Sequence, residues 1–114
     1  MSDPAGPRRV VDAHHHLLDV AGVGYGWIPE RSPVLQALLA NYYDIARDYG
    51  PADHAGDMAG TRLDGSVACE FGADDPVAEA TWVQSLADAG NGPDAFIAAA
   101  DPSDPGLAER LRHY

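Results

Sequence analysis

The stretch Val10-Val11-Asp12-Ala13-His14-His15-His16-Leu17-Leu18 sets the expected fold of this 114-residue chain. An apolar pair, an aspartate and alternating histidines predict a short buried strand, residues 9–15, ending in candidate ligands. Successive side chains of an extended chain point to opposite faces, so His14 and His16 share one face and His15 points away. Two imidazoles one strand repeat apart, roughly 6 to 7 Å, suit a single divalent ion. The same spacing suits polar residues at a strand end that only hydrogen-bond. A purification-tag remnant fits poorly, because only three histidines are present, between Ala13 and Leu17 and behind a Val-Val pair.

Outward from this strand the pattern alternates. Residues 1–8, rich in Pro and Gly, predict a mobile lead-in, leaving 9–114 as one domain with a modest core. Ala21-Gly22-Val23-Gly24-Tyr25-Gly26 is a glycine-spaced loop without the spacing of a dinucleotide-binding fingerprint. Ser32-Pro33 starts a helix, with Val34, Leu35, Leu38, Leu39, Tyr42, Ile45 and Tyr49 as one apolar face, until Gly50-Pro51 ends it. A short second helix is expected over 51–59. Residues 66–71 read as a second strand, with Val67, Cys69 and Phe71 on one face and Ser66, Ala68 and Glu70 on the other. Asp75-Pro76 caps a helix over 76–89 whose buried stripe is Val77, Trp82, Val83 and Leu86, and Gly90 stops it. A third strand is expected over 95–100, and Asp104-Pro105 opens a last helix with Leu107 and Leu111 inward. Three strands, each followed by helical sequence, predict an α/β fold with a parallel sheet.

Val11-Asp12-Ala13-His14-His15-His16 resembles the strand-1 motif, Asp-x-His-x-His, of the metal-dependent hydrolases of the amidohydrolase superfamily. Within it the motif looks like that of the amidohydrolase-related (Amidohydrolase 2), lactonase-like branch with sugar-lactone and pyrone-lactone hydrolases. Tyr25-Gly26-Trp27 is similar to the aromatic loop after strand 1 of that branch. Asp48-Tyr49 with Asp53 is similar to its Asp-Tyr...Asp pattern, Ser66 to Phe71 to its strand 2, and Asp74 to Trp82 to the helix start that follows. Only the strand-1 motif is specific by itself. The resemblance implies a (β/α)₈ TIM barrel, of which about the first three β/α units are covered, since a complete barrel takes about 250 residues. It also places His54 at a helix start that is not a ligand position, so His54 is expected on the surface.

Composition narrows the function classes. Eighteen acidic residues oppose seven basic ones, for a formal net charge of −11, and every base is an arginine. So acidic a chain has no electrostatic footprint for nucleic acid and no polybasic patch for a membrane. Without lysine it supplies neither a Schiff-base nitrogen nor a carbamylated bridging ligand. The lone Cys69 excludes a disulfide framework and reads as a small core residue rather than a nucleophile. No secretory leader or 18-residue apolar run is evident, so a cytoplasmic location is expected.

The resemblance implies that His14 and His16 are metal ligands for Zn or Mn. It implies attack of an activated water on a lactone, ester or amide carbonyl, with the other ligands and the base beyond residue 114. Some lactonases of the branch are thought to use the same histidines without a metal. Glu70, at the C-terminal end of the second strand, is the candidate catalytic carboxylate: it would orient a water, brace a histidine or touch substrate, or only pair with an arginine at the barrel mouth. Tyr25 and Trp27 are candidate substrate-stacking residues, though loop aromatics also simply pack. Two function classes stand: the N-terminal part of a hydrolase acting on a small-molecule substrate, or a short non-catalytic or metal-binding module. Three parallel strands expose both sheet edges, so the second class calls for a homo-oligomer or a complementing chain.

Overall fold

The computed structural model describes residues 8–30 and 32–114. The lead-in expected over residues 1–8 therefore lies outside the described residues except for Arg8. Three parallel strands, β1 (Val11–His15), β2 (Gly65–Cys69) and β3 (Ala95–Ile97), form one sheet in the order β1-β2-β3. The helices are α1 (Pro33–Leu38), α2 (Pro51–Asp57), α3 (Pro76–Asp88) and α4 (Leu107–His113). The expected mixed α/β class and parallel pairing are present.

The caps follow the sequence chemistry. The Asp75 carboxylate accepts from the Val77 and Ala78 amides, satisfying two of the orphan donors at the start of α3. Pro76 follows at the first helical position, where its missing N–H costs nothing. At the far end Gly90, with φ +83°, turns the chain out of the helix.

The long helix expected from Ser32 to Tyr49 is not formed. Ser32 caps α1 as anticipated, but the helix stops at Leu38, and only a 3₁₀ turn over Tyr42–Ile45 follows. Two tertiary contacts break the repeat. Tyr42 is buried and stacks on Trp27, with ring centroids 6.3 Å apart. Tyr49 exchanges two 2.9 Å backbone hydrogen bonds with Leu18 in an antiparallel bridge. That bridge needs extended backbone at Tyr49, which a helix running through it excludes. Val34 and Leu38, on the apolar stripe of α1, remain 66% and 73% exposed.

Burial concentrates at the end of β1. Leu18, Tyr25 and Ile28 form the core cluster, with Trp27, Tyr49 and Phe71 packed against it. Residue alternation in β2 is as expected: Ser66 and Ala68 are buried while Val67 and Cys69 are half-buried. Among the described residues, seven hydrophobic residues form the buried core, while nine large ones are exposed, among them Val11, Leu38, Ile97 and Leu111.

Candidate functional site

The ladder between β1 and β2 slips at the motif. Asp12 pairs with Ser66 and His15 with Ala68, so three steps along β1 match two along β2. One extra residue of this kind is a β-bulge, which breaks strict alternation and re-aims side chains. The imidazoles nevertheless fall into two groups as strand alternation would place them, His14 with His16 and His15 with His54.

His14 and His16 lie together, with ring centroids 5.0 Å apart in an edge-on arrangement. His14 is exposed and His16 half-buried. Nδ1 of His16 is 3.0 Å from the Cys69 carbonyl oxygen. A carbonyl only accepts, so Nδ1 carries the proton and Nε2 is the acceptor nitrogen of the neutral ring. The ring also stacks on Phe71, 4.2 Å between centroids and 24° from parallel.

His15, Asp12 and His54 form the second group. The His54 ring stacks on that of His15 at 3.9 Å and 14°, and its Nε2 lies 2.9 Å from Oδ2 of Asp12. His54, expected on the surface, has a side chain only 12% exposed. Helix α2 carries it inward, because Asp53 accepts the Gly50 amide at the start of α2 and His54 follows in the first turn. The His54 hydrogen bond, and then the His14 amide that donates to Oδ1 at 3.1 Å, hold the Asp12 carboxyl below its ordinary value. Burial pushes the His15 imidazole down, reinforced by the positive charge His54 would carry. Both ring nitrogens of His15 are buried and have no hydrogen-bond partner among the described residues.

A cavity of about 360 Å³ opens beside both groups. His15 and His16 line it with Leu18, Ile45, Tyr49 and Phe71, and Arg47 and Asp44 add charge at its wall. Its size and largely apolar lining suit a small organic molecule. The Arg47 guanidinium stands 5.8 Å from the centre of the Tyr49 ring. The Tyr49 hydroxyl donates to Asp57 at 2.6 Å, and burial with that neighbouring carboxylate pushes its phenol up to about 12. A larger cavity of about 630 Å³ lies between α3 and β3, lined by Phe96 and Tyr114, away from the paired histidines.

The residues singled out from the sequence do not all converge on this cavity. Glu70 accepts the Gly72 amide at 2.8 Å and so closes its own turn; it does not line the cavity. Tyr25 is 2% exposed, with its hydroxyl donating to the Leu17 carbonyl at 3.3 Å. Burial, with the charge of Glu79, raises its phenol above the ordinary range. Trp27 is half-buried and donates from Nε1 to the Phe71 carbonyl at 3.0 Å. Both aromatics thus pack the wall behind His16 rather than the cavity surface.

Glu79 was not among the sequence candidates. It is 1% exposed and its Oε2 accepts the Phe71 amide at 3.2 Å. Burial raises its carboxyl, offset in part by the Phe71 amide and the Tyr25 hydroxyl. One signal was available: Glu79 sits four residues before Val83, inside the buried stripe of α3.

No protein family, curated protein or solved structure matches the chain. The functional reading therefore rests on the motif and on the site geometry.

Proposed function

We propose that this chain is the first part of a (β/α)₈ metal-dependent hydrolase of the amidohydrolase type, acting on a lactone, ester or amide carbonyl. The observation that carries the reading is the paired His14 and His16, with the His16 tautomer set by the Cys69 carbonyl. Donation of one ring N–H to a backbone carbonyl is how metal-binding imidazoles are commonly oriented.

The residues present fit two positions of a divalent ion. A catalytic zinc takes three protein ligands. Among the described residues no group of three His, Cys, Asp or Glu side chains is arranged to hold a metal. His14 and His16 would hold the ion jointly, and a bound ion would polarise the carbonyl or lower the pKa of water. The chain's own contribution is positional. His15 faces His54 on the other side of the strand, and the cavity beside His16 offers apolar walls to a substrate body. Glu70 remains the candidate carboxylate at the strand end, and Tyr25 and Trp27 would support the loop beneath the substrate.

The deciding experiment measures zinc and manganese in the purified chain beside the double variant His14→Ala/His16→Ala, with lactone hydrolysis assayed in parallel. The reading expects metal in the wild type and loss in the variant. Equal metal in both would overturn it.

A second reading, a module completed by self-association or by another chain, is favoured by the exposed Val11 on edge strand β1 and Ile97 on edge strand β3. Concentration-dependent sedimentation tests it, and a monomer at all concentrations that binds no second chain counts against it. No helix among the described residues is long and apolar enough to cross a membrane.

A further inference from the structure

The ring of His16 is fixed on two sides, by the Cys69 carbonyl at Nδ1 and by the face of Phe71. The second support raises a question of its own, because Phe71 lies beyond the end of β2. The last backbone bond to β3 runs from the Glu70 amide to the Ile97 carbonyl. From Phe71 onward no ladder holds the chain, yet an orphaned backbone group near the core is costly.

Side chains hold it instead. Oε2 of Glu79 accepts the Phe71 N–H at 3.2 Å, and Nε1 of Trp27 donates to the Phe71 carbonyl at 3.0 Å. The Trp27 ring also meets the Phe71 ring edge-on, with centroids 5.2 Å apart. Gly72, at φ +68°, turns the chain directly beneath Trp27. Phe71 is thus gripped at its N–H, its carbonyl and its ring. A buried carboxyl is an expensive way to fill space. An apolar residue at position 79 would pack α3 equally well but would leave the Phe71 N–H without its acceptor.

We infer that Glu79 and Trp27 are positioning residues for His16, acting through Phe71. They hold the aromatic shelf against which the imidazole is set, and so keep its Nε2 aimed as a ligand nitrogen. This inference rests on the ligand role proposed for His16, but its first test does not.

That test is solution NMR of the full chain, reading the ring-proton shifts of His16, which carry the ring current of Phe71. Glu79→Gln keeps an acceptor oxygen, Glu79→Met fills the volume without one, and Trp27→Phe removes the donor while leaving α3 intact. Expected are wild-type His16 shifts in Glu79→Gln and loss of the Phe71 ring-current shift in Glu79→Met and in Trp27→Phe. If zinc is retained by the wild type, both of the latter variants should hold it about 10- to 100-fold more weakly. A role confined to packing would lower the melting temperature and leave the His16 shifts unmoved. A folded Glu79→Met protein with wild-type His16 shifts overturns the inference. Should Glu79→Met not fold, unchanged His16 shifts in Trp27→Phe overturn it equally. Absence of zinc in the wild type with the ring-shift pattern intact removes the ligand role and leaves the clamp standing.

Discussion

The imidazole of His54 and the carboxylate of Asp12, 42 positions apart in the chain, meet at 2.9 Å from Nε2 to Oδ2. This contact ties α2 to the first strand at the point where the strand bulges. It also makes Asp12 a bridge, since its other oxygen accepts the His14 amide. The aspartate of the motif thus sets the backbone of one candidate ligand while anchoring a residue from a distant helix.

Removing that bond should weaken the fold in a pH-dependent way. The Asp12 carboxyl is held below its ordinary value of 3.8. Its contribution is therefore fully present above that value and is lost as pH falls through the lower value it has in the folded chain. His54→Ala is expected to cost about 1–2 kcal/mol at neutral pH, the scale of a partly exposed hydrogen bond to a charged group. Urea denaturation at neutral and at strongly acid pH checks this. The difference between wild type and variant should shrink at the acid end.

His15 should titrate against the fold. Its imidazole is pushed below its ordinary value of 6.5 by burial. Stability from a neutral buried ring is fully present above that value and declines as pH falls toward the depressed one, because the unfolded chain takes up the proton first. His15→Phe keeps a flat ring for stacking on His54 and removes the titration. The wild-type urea midpoint should fall between about pH 8 and about pH 5, and the variant midpoint should fall less.

Gly72 is predicted to tolerate no side chain. Its φ of +68° lies in the left-handed region, and an added Cβ would come within 3.1 Å of Nε1 of Trp27. Gly72→Ala should cost roughly 1–2 kcal/mol from backbone strain alone, and more if the tryptophan is displaced. Thermal denaturation gives the first quantity, and the emission maximum of Trp27, in a background with Trp82→Phe, reports the second.

The open edge of β3 should govern association. Ile97 is 57% exposed on the outer strand. A charge there is a common means of blocking edge pairing. Ile97→Lys should lower self-association in sedimentation velocity over a concentration series, with the circular dichroism spectrum unchanged.

Zinc retention should separate the two histidine groups. His16→Ala is expected to lower metal content, whereas His54→Ala should lower stability and leave most of the metal in place, because His54 is bonded to Asp12 and stacked on His15. Inductively coupled plasma mass spectrometry on both variants distinguishes these outcomes.

Much of the scaffold was legible in the one-dimensional pattern. The Val-Val run, the alternation from Ser66 to Phe71, the Asp75-Pro76 cap and the small apolar stretch at Ala95 placed three strands and the main helix to within a few residues. Local rules suffice there because strand alternation, helix caps and turn glycines act over a handful of positions. The pairing of His14 with His16 was legible for the same reason, since neighbours on one face need no distant partner. What failed was the helix through Tyr49, whose repeat was correct but whose residues were claimed by Trp27 and Leu18 from elsewhere in the chain.

The site beyond those two histidines belonged to the tertiary structure. His54 next to Asp12, the orphaned ring of His15, the cavity shared with Arg47 and the buried Glu79 behind Phe71 all join segments separated by many residues. A bulge that admits one extra residue, and a carboxyl buried inside a helix stripe, leave almost no trace in local composition. They are decided by which long-range contacts best satisfy buried polar groups, and that choice exists only once the chain has closed on itself. Sequence by itself determined a parallel β/α order and a pair of imidazoles at its first strand; the folded chain decided what holds them and what lies beside them.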